Sequence, residues 1–277
     1  MCPNGSKIRT QDIGSLTEYV CNITQNCEAE NVLFRGQPDG EELLPKIGRA
    51  SGPSNPLQVE KKLLKEIEWR GGPFLEFEPR NTLEWLQVGR HHGMSTRLLD
   101  WTFSALAALW FTVAETRKRK DGAIWVFNYD ESDVLEGKEK IRQITRAENL
   151  PDGIPEDDKR RKGVDTLKDI TDLNQIQRTC VLIPRHIDRR IAAQASCFTL
   201  HAYEKCFTPL EEDGLHRQKL RKLVVKRGCF GSIRRQLHLL GMNQSTLYPD
   251  VGGLCAHLDW FHRRPHGSGA AAQSGCT

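Results

Sequence analysis

Phe103–Thr116 reads FSALAALWFTVAET, and shortly after it Ala123–Tyr129 reads AIWVFNY. The first run is apolar on nearly every side, which predicts a helix buried in the centre of a domain. The second is a short apolar, aromatic run that follows Gly122, the pattern of a strand. These two elements anchor the reading of the rest of the chain.

Working outward, Asn31–Arg35 (NVLFR) is a short β-like run closed by Gly36 and the turn Pro38-Asp39-Gly40. Val59, Leu63, Leu64 and Ile67 recur at helical spacing up to Trp69, and Gly71-Gly72-Pro73 ends that helix. A second helix spans Thr82 to Arg90, with Leu83, Trp85 and Leu86 inward, and Gly93 breaks it. Downstream, Val181–Pro184, Ser196–Tyr203 and Lys222–Arg227 read as strands, while Arg185–Ala193, Gly231–Leu240 and Val251–Phe261 read as helices. Short strands interspersed with helices, without regular βαβ alternation, predict an α+β fold. The expectation is a single domain over 31–261, with a compact mixed or antiparallel sheet flanked by helices. Residues 1–30 form a polar, weakly patterned segment in which Ser15–Val20 can open a short helix. Residues 131–172 form a charged excursion, and 262–277 a low-complexity tail expected to be disordered.

With 277 residues, 38% of them hydrophobic, the chain has enough apolar surface for a sizeable core, which excludes wholesale disorder. A net charge of +4 falls short of a dedicated nucleic-acid-binding stripe. The longest apolar stretch, Ala105–Ala114, is about half of the roughly 20 residues needed to span a bilayer. The N-terminus has no apolar signal-peptide core, so no membrane association and a cytoplasmic location are expected. Nine cysteines, odd in number, irregularly spaced and without a C-x-x-C pair, read as reduced, mostly buried side chains.

Three clusters can carry chemistry. In the first, Phe34-Arg35-Gly36-Gln37, an Arg at a strand end presents a planar fork suited to phosphate or carboxylate, and the Gly lets a ligand approach the backbone. A structural ion pair beside a turn is the alternative. The second runs from His91 to Thr102 (HHGMSTRLLDWT), wedged between two apolar helices, where polar groups must be hydrogen-bonded or serve a site. Here Asp100 either N-caps the buried helix, pairs with Arg97, or serves a ligand. The adjacent His91 and His92 cannot converge on one metal, so no metal site is expected, and one of them acts as a base or donor. The third is Arg189–Thr199 (RRIAAQASCFT), with Gln194 at the turn entering a strand. No P-loop, dinucleotide fingerprint or nucleophile elbow is present. The runs Arg117–Lys120 and Lys159–Arg161 read as solvated faces. The string Arg217, Lys219, Arg221, Lys222, Lys226, Arg227, Arg234 and Arg235 is the better candidate for a polyanion surface.

In this order the clusters resemble the bacterial FRG domain, named for its F-R-G motif. Gly89–Thr102 is similar to its Q/R-H-x-G-x-x-T-R-L-L-D-W-T signature, Arg190–Thr199 to R-I-x-x-Q-x-(G/S)-x-F-T, and Leu240–Leu254 to the closing stretch. Many members resemble parts of phage-defence or toxin–antitoxin loci. The order strand-Arg, polar cluster, strand with amide or carboxylate is also similar to the R-S-E and H-Y-E layouts of ADP-ribosyltransferases. The resemblance therefore implies a cytoplasmic effector or toxin that transfers ADP-ribose from NAD to a nucleic-acid or protein target met by the 217–235 face. A cognate antitoxin or chaperone is the further partner it implies. Arg35 would hold the pyrophosphate or nicotinamide ribose, and His92 with Thr96 would position NAD. Gln194 would contact the ribose where the layout has Glu, with Glu204 a second candidate. Gly36, Gln37, Ser95 and Arg97 would complete the NAD-binding set. A non-enzymatic module that binds a nucleotide or a phage component is the rival reading.

Overall fold

The computed structural model describes residues 8–27, 31–49, 55–76, 79–115, 120–135, 176–184 and 188–263. Seven strands form one sheet: β1 (Arg9–Ile13), β2 (Val32–Gln37), β3 (Leu98–Thr102), β4 (Gly122–Asn128), β5 (Cys180–Leu182), β6 (Ser196–Leu200) and β7 (Leu220–Val225). Their order is β1-β7-β4-β2-β3-β6-β5, parallel only between β1 and β7. Helices α1 (Leu16–Asn26), α2 (Pro56–Arg70), α3 (Thr82–His91), α4 (Ala105–Ala114), α5 (Arg189–Ala193), α6 (Phe230–Leu239), α7 (Gln244–Leu247) and α8 (Val251–His262) flank it. This is the single α+β domain with a mixed sheet that the patterning predicts.

The period-2 alternation of the strands sorts their side chains onto two faces. On one face, Phe34, Ile124, Val126, Leu223 and Val225 pack under α4, α1 and α6. On the same face but at the other end of the sheet, Leu98, Phe198 and Leu200 pack under α2 and α3 through Leu64, Leu83 and Leu86. The opposite face buries Leu33, Leu99, Trp101, Trp125, Phe127 and Cys197. Between the two helical groups the first face is left without an apolar cover, and the polar Asp100 and Thr102 alternate with Leu99 and Trp101 there.

Two contacts set how closely α4 lies on the sheet. A Cβ at Gly36 would stand 1.8 Å from the Ala108 carbonyl oxygen, so only Gly lets the helix backbone reach β2. Ser104 caps α4, its Oγ accepting from the Ala107 amide at 3.2 Å. Next to this packed region the sheet opens. Strand β2 pairs with β4 at six positions but with β3 only through Phe34↔Thr102. Beyond that pair the two strands part, and the Arg35 side chain crosses the gap to donate to the Asp100 carbonyl at 2.7 Å.

Several expectations are corrected. Thr96–Thr102, read as a polar link between helices, contains the interior strand β3. Its Leu98-Leu99-Asp100-Trp101-Thr102 run is buried on both sides except at Asp100, so the polar residue hides the strand pattern. Asp100 neither caps α4, which Ser104 does, nor pairs with Arg97, which binds Glu60. The polar first 30 residues hold a strand as well as the expected helix: β1 joins the sheet edge and α1 begins at Leu16. Most of the charged 131–172 excursion lies outside the described residues, as do Arg117–Arg119, Lys159–Arg161 and the tail from 264 onward. The seven described cysteines are free, and Cys180, Cys197, Cys206 and Cys229 are buried. Among the described residues, no helix is long and apolar enough to cross a membrane.

Candidate functional site

The uncovered part of the first face, where β2 and β3 separate, is a cavity of about 320 Å³. Each wall comes from a different element. Strand β2 brings Phe34, Arg35 and Gly36, and β3 brings Asp100, Trp101 and Thr102. Helix α3 brings Arg90 and His91 from its last turn. The turn before β6 brings Gln194 and Ser196, and Phe111 and Tyr248 close the far side.

Asp100 is the only carboxylate among the described residues that line it. Both nitrogens of one edge of Arg90, Nε and Nη2, donate to Asp100 Oδ2, the Nε contact at 2.9 Å. Arg35 Nη1 stands 3.6 Å from the same oxygen. Burial alone would raise the Asp100 carboxyl, but Arg90 and then Arg35 outweigh it and hold the group below its ordinary value. Burial pushes Arg35 down to about 10, with Asp100 opposing and Arg90 and Arg49 reinforcing the fall, so it remains charged at neutral pH. Burial also lowers His91, which is therefore a neutral imidazole at pH 7. Two guanidinium groups around one carboxylate leave a surplus of positive charge in a site poorly screened by water.

That surplus comes with unmatched donors and a flat wall. Arg35 Nε and His91 Nε2 are buried without a hydrogen-bond partner. Buried polar atoms are ordinarily satisfied, so two unpartnered nitrogens in side chains that line one cavity mark a site where a ligand can alter the hydrogen bonding. Tyr248 and Phe111 meet edge-to-face at 6.4 Å, and the Arg190 guanidinium covers the Tyr248 ring at 5.3 Å. Arg190 is itself held by Asp250, from Nε at 2.9 Å and from Nη2 at 2.5 Å. The arrangement can bind an anion and a planar ring at once.

The structure brings together Arg35, Gly36 and Gln194 of the residues singled out in the sequence, and sends the others elsewhere. His92 turns away from the cavity into a neighbouring surface cleft, with Nε2 at 3.4 Å from Asp188; His91 takes the cavity position instead. The Thr96 hydroxyl accepts from the Leu98 amide at 3.2 Å, fully buried, and Thr102 is the threonine that lines the cavity. Ser95 does not line the cavity. Arg97 is sealed in an ion pair with Glu60, Nη2 to Oε2 at 2.6 Å. Gly36 lines the cavity, yet its lack of a side chain serves the approach of α4. The Gln37 side-chain oxygen accepts from the Trp125 indole at 3.0 Å, a structural role. Glu204 is exposed in a 3₁₀ turn beyond the end of β6, away from the cavity.

Gln194 lines the cavity, but its amide Nε2 donates to the Leu247 carbonyl at 2.9 Å. Its own carbonyl accepts from the Thr102 hydroxyl at 2.6 Å, and the Phe103 amide donates to the Ala195 carbonyl at 2.9 Å. These bonds hold Ala195 in the left-handed region at φ 45°. Arg90, His91, Asp100, Thr102 and Tyr248 are among the site residues that the sequence assignment leaves out. The period-2 alternation of Asp100 and Thr102 was the signal available for two of them.

The basic string does not form one face. Arg221 and Lys222 are adjacent on β7 and so point to opposite sides. Lys219 is paired with Asp130 and Asp133, each at 2.6 Å, and Lys226 with Asp12 at 2.8 Å. Lys222 lies over the Trp125 ring, and Arg234 covers Trp260 while donating to the Ala114 carbonyl. Among the described residues, no group of three or more His, Cys, Asp or Glu side chains is disposed to hold a metal ion.

Residues 30–121 match the model of the FRG domain family. The matched segment contains Phe34-Arg35-Gly36, α3, β3 and α4, which together form most of the cavity wall. No curated protein and no solved structure matches the chain.

Proposed function

We propose that this FRG-domain chain binds a nucleotide in the cavity between β2 and β3, and that the nucleotide is NAD, whose ADP-ribosyl group it transfers to a target. The observation that carries the reading is the convergence of Arg35, Arg90 and His91, with two unpartnered buried nitrogens and surplus positive charge, beside the Tyr248–Phe111 wall. Phosphates suit the planar forks of the arginines, and a nicotinamide or adenine ring suits the aromatic wall. Arg35 on β2 and Gln194 before β6 line the cavity, which supports the reading; His92 and Thr96, which the resemblance implies for the middle position, lie outside it, and Thr102 on β3 provides a hydroxyl there.

One observation favours a second reading, nucleotide binding without turnover. Stabilising a cationic sugar intermediate calls for a free carboxylate, whereas Gln194 is neutral and one oxygen of Asp100 is already shared by two arginines. Incubation with NAD labelled in the adenylate, with and without cell extract, separates the two. Transfer expects release of nicotinamide and labelling of a target. Saturable binding of intact NAD without either product selects the binding module, and no binding at all overturns both.

A further inference from the structure

The contacts of Asp100 divide sharply between its two oxygens. Every ion-pair contact, two from Arg90 and one from Arg35, falls on Oδ2. Oδ1 has no hydrogen-bond partner among the described residues, and the side chain is 31% exposed on the cavity wall. The two guanidinium groups therefore keep the carboxylate ionised and fix its orientation, while one oxygen remains open as an acceptor. Around it the cavity is lined by Arg35 and His91, whose Nε and Nε2 are buried without a partner. A ligand that satisfies all of these must carry anionic oxygens for the donors and, within the same few ångströms, hydrogen-bond donors for Oδ1.

We infer that Asp100 Oδ1 is the subsite for the hydroxyl pair of a phosphorylated ribose, with Arg35 and Arg90 both anchoring Asp100 and Arg35 also receiving the adjoining phosphate. The inference rests on the nucleotide reading above and names which part of the ligand faces β3. A carboxylate accepts two hydroxyl hydrogens well, and it repels a phosphate placed against it, so its position orders the ligand along the cavity: sugar over Asp100, phosphate over Arg35 and His91. Without Asp100, phosphate would be free to settle over Arg90 as well. The residue thus sets register and selects sugar-bearing phosphates over simple ones. Gln194 offers only a neutral amide oxygen, a weaker acceptor of hydroxyl hydrogens than a carboxylate.

Three probes test the assignment by calorimetric titration: ADP, 2′,3′-dideoxy-ADP and inorganic pyrophosphate. The unmodified protein is expected to bind ADP about 10- to 100-fold more tightly than the dideoxy compound, the range of a charge-assisted hydrogen bond lost. In Asp100→Asn that preference should collapse to less than about threefold, while pyrophosphate binds as well as before or more tightly. Asp100→Glu, which keeps the carboxylate, should restore part of the preference. Equal affinity of the unmodified protein for ADP and dideoxy-ADP overturns the assignment, and this holds even if Asp100→Asn fails to fold. Equal weakening of all three probes in folded Asp100→Asn also overturns it, since that is the mark of a purely structural anchor. If the unmodified protein binds neither ADP nor pyrophosphate, the nucleotide reading itself fails and the assignment with it.

Discussion

Two arginine–carboxylate clusters grow from the seven residues Thr96–Thr102, and they are built to opposite ends. Arg97 and Glu60 are each 1% exposed; Glu60 takes the Arg97 Nε at 2.7 Å, its Nη2 at 2.6 Å and its backbone amide at 2.8 Å. Three residues on, Asp100 is clasped by Arg90 and Arg35 on one oxygen and open on the other, while Arg35 Nε and His91 Nε2 go unmatched. The sealed cluster tethers α2 to the start of β3. The open one stands where β2 and β3 part. Residue type does not separate structural from functional charge here; the state of the last unmatched atom does.

The largest expected effect comes from breaking the sealed cluster. Glu60→Gln leaves the Arg97 guanidinium buried without its counter-charge, which costs about 3–5 kcal/mol in such settings. Urea unfolding should register that loss, while nucleotide affinity of the protein that remains folded stays within about twofold. Loss of affinity at undiminished stability would reverse the roles assigned to the two clusters.

Acid should lower stability through both regions but raise ligand affinity at the open one. His201, whose amide donates to the Arg97 carbonyl, is buried on the sealed side and pushed down to about 3 by burial. Unfolded, it titrates near its ordinary value of about 6.5, so between those values the unfolded chain holds the extra proton. Its contribution is complete above about pH 6.5 and is lost as pH falls toward 3, at up to about 1.4 kcal/mol per unit. The Asp100 contribution, with the carboxyl lowered in the fold, is retained to lower pH and lost only as pH falls through that depressed value. His91 responds the other way. Burial keeps it neutral, and an anionic ligand favours its protonation, so NAD affinity should rise as pH falls from 7.5 to 5.5. Titrations across that range check it, and His91→Gln should flatten the slope.

The smallest effect lies in the turn before β6, between the cavity-lining Gln194 and Ser196. Ala195 sits at φ 45°, a conformation that glycine adopts freely, so Ala195→Gly should stabilise the protein by up to about 1 kcal/mol. Thermal melting checks the sign. A clear loss of stability would mean that the methyl group matters more than the backbone.

Much of this was legible in the sequence, because buried helices and flanked strands announce themselves through periodicity and breakers. The α4–β4 segment, α3, β6, β7 and α8 follow that rule. Strand β3 did not, because Asp100 breaks an otherwise apolar run at the point where the cavity opens. For the site, Arg35 and Gln194 were legible as polar residues at strand ends. His91 could not be told from His92, since the choice depends on which way the last turn of α3 faces. Gly36 and Gln37 look like ligand contacts beside Arg35, yet α4 and Trp125 claim them, contacts from more than 60 residues away in the chain. Arg97 looks equivalent to Arg35 until its partner Glu60 is seen.

The central claim is that the open cluster is a phosphate-binding site, and Arg35→Lys tests it most directly. Lysine keeps the charge and one donor for the Asp100 carbonyl but loses the planar fork and the orphan Nε. Titration of NAD into the unmodified and Arg35→Lys proteins, with melting curves alongside, should give at least about tenfold weaker binding at a melting temperature within a few degrees. Unchanged NAD affinity in the folded variant would contradict the claim and leave Arg35 as a bridge between two strands.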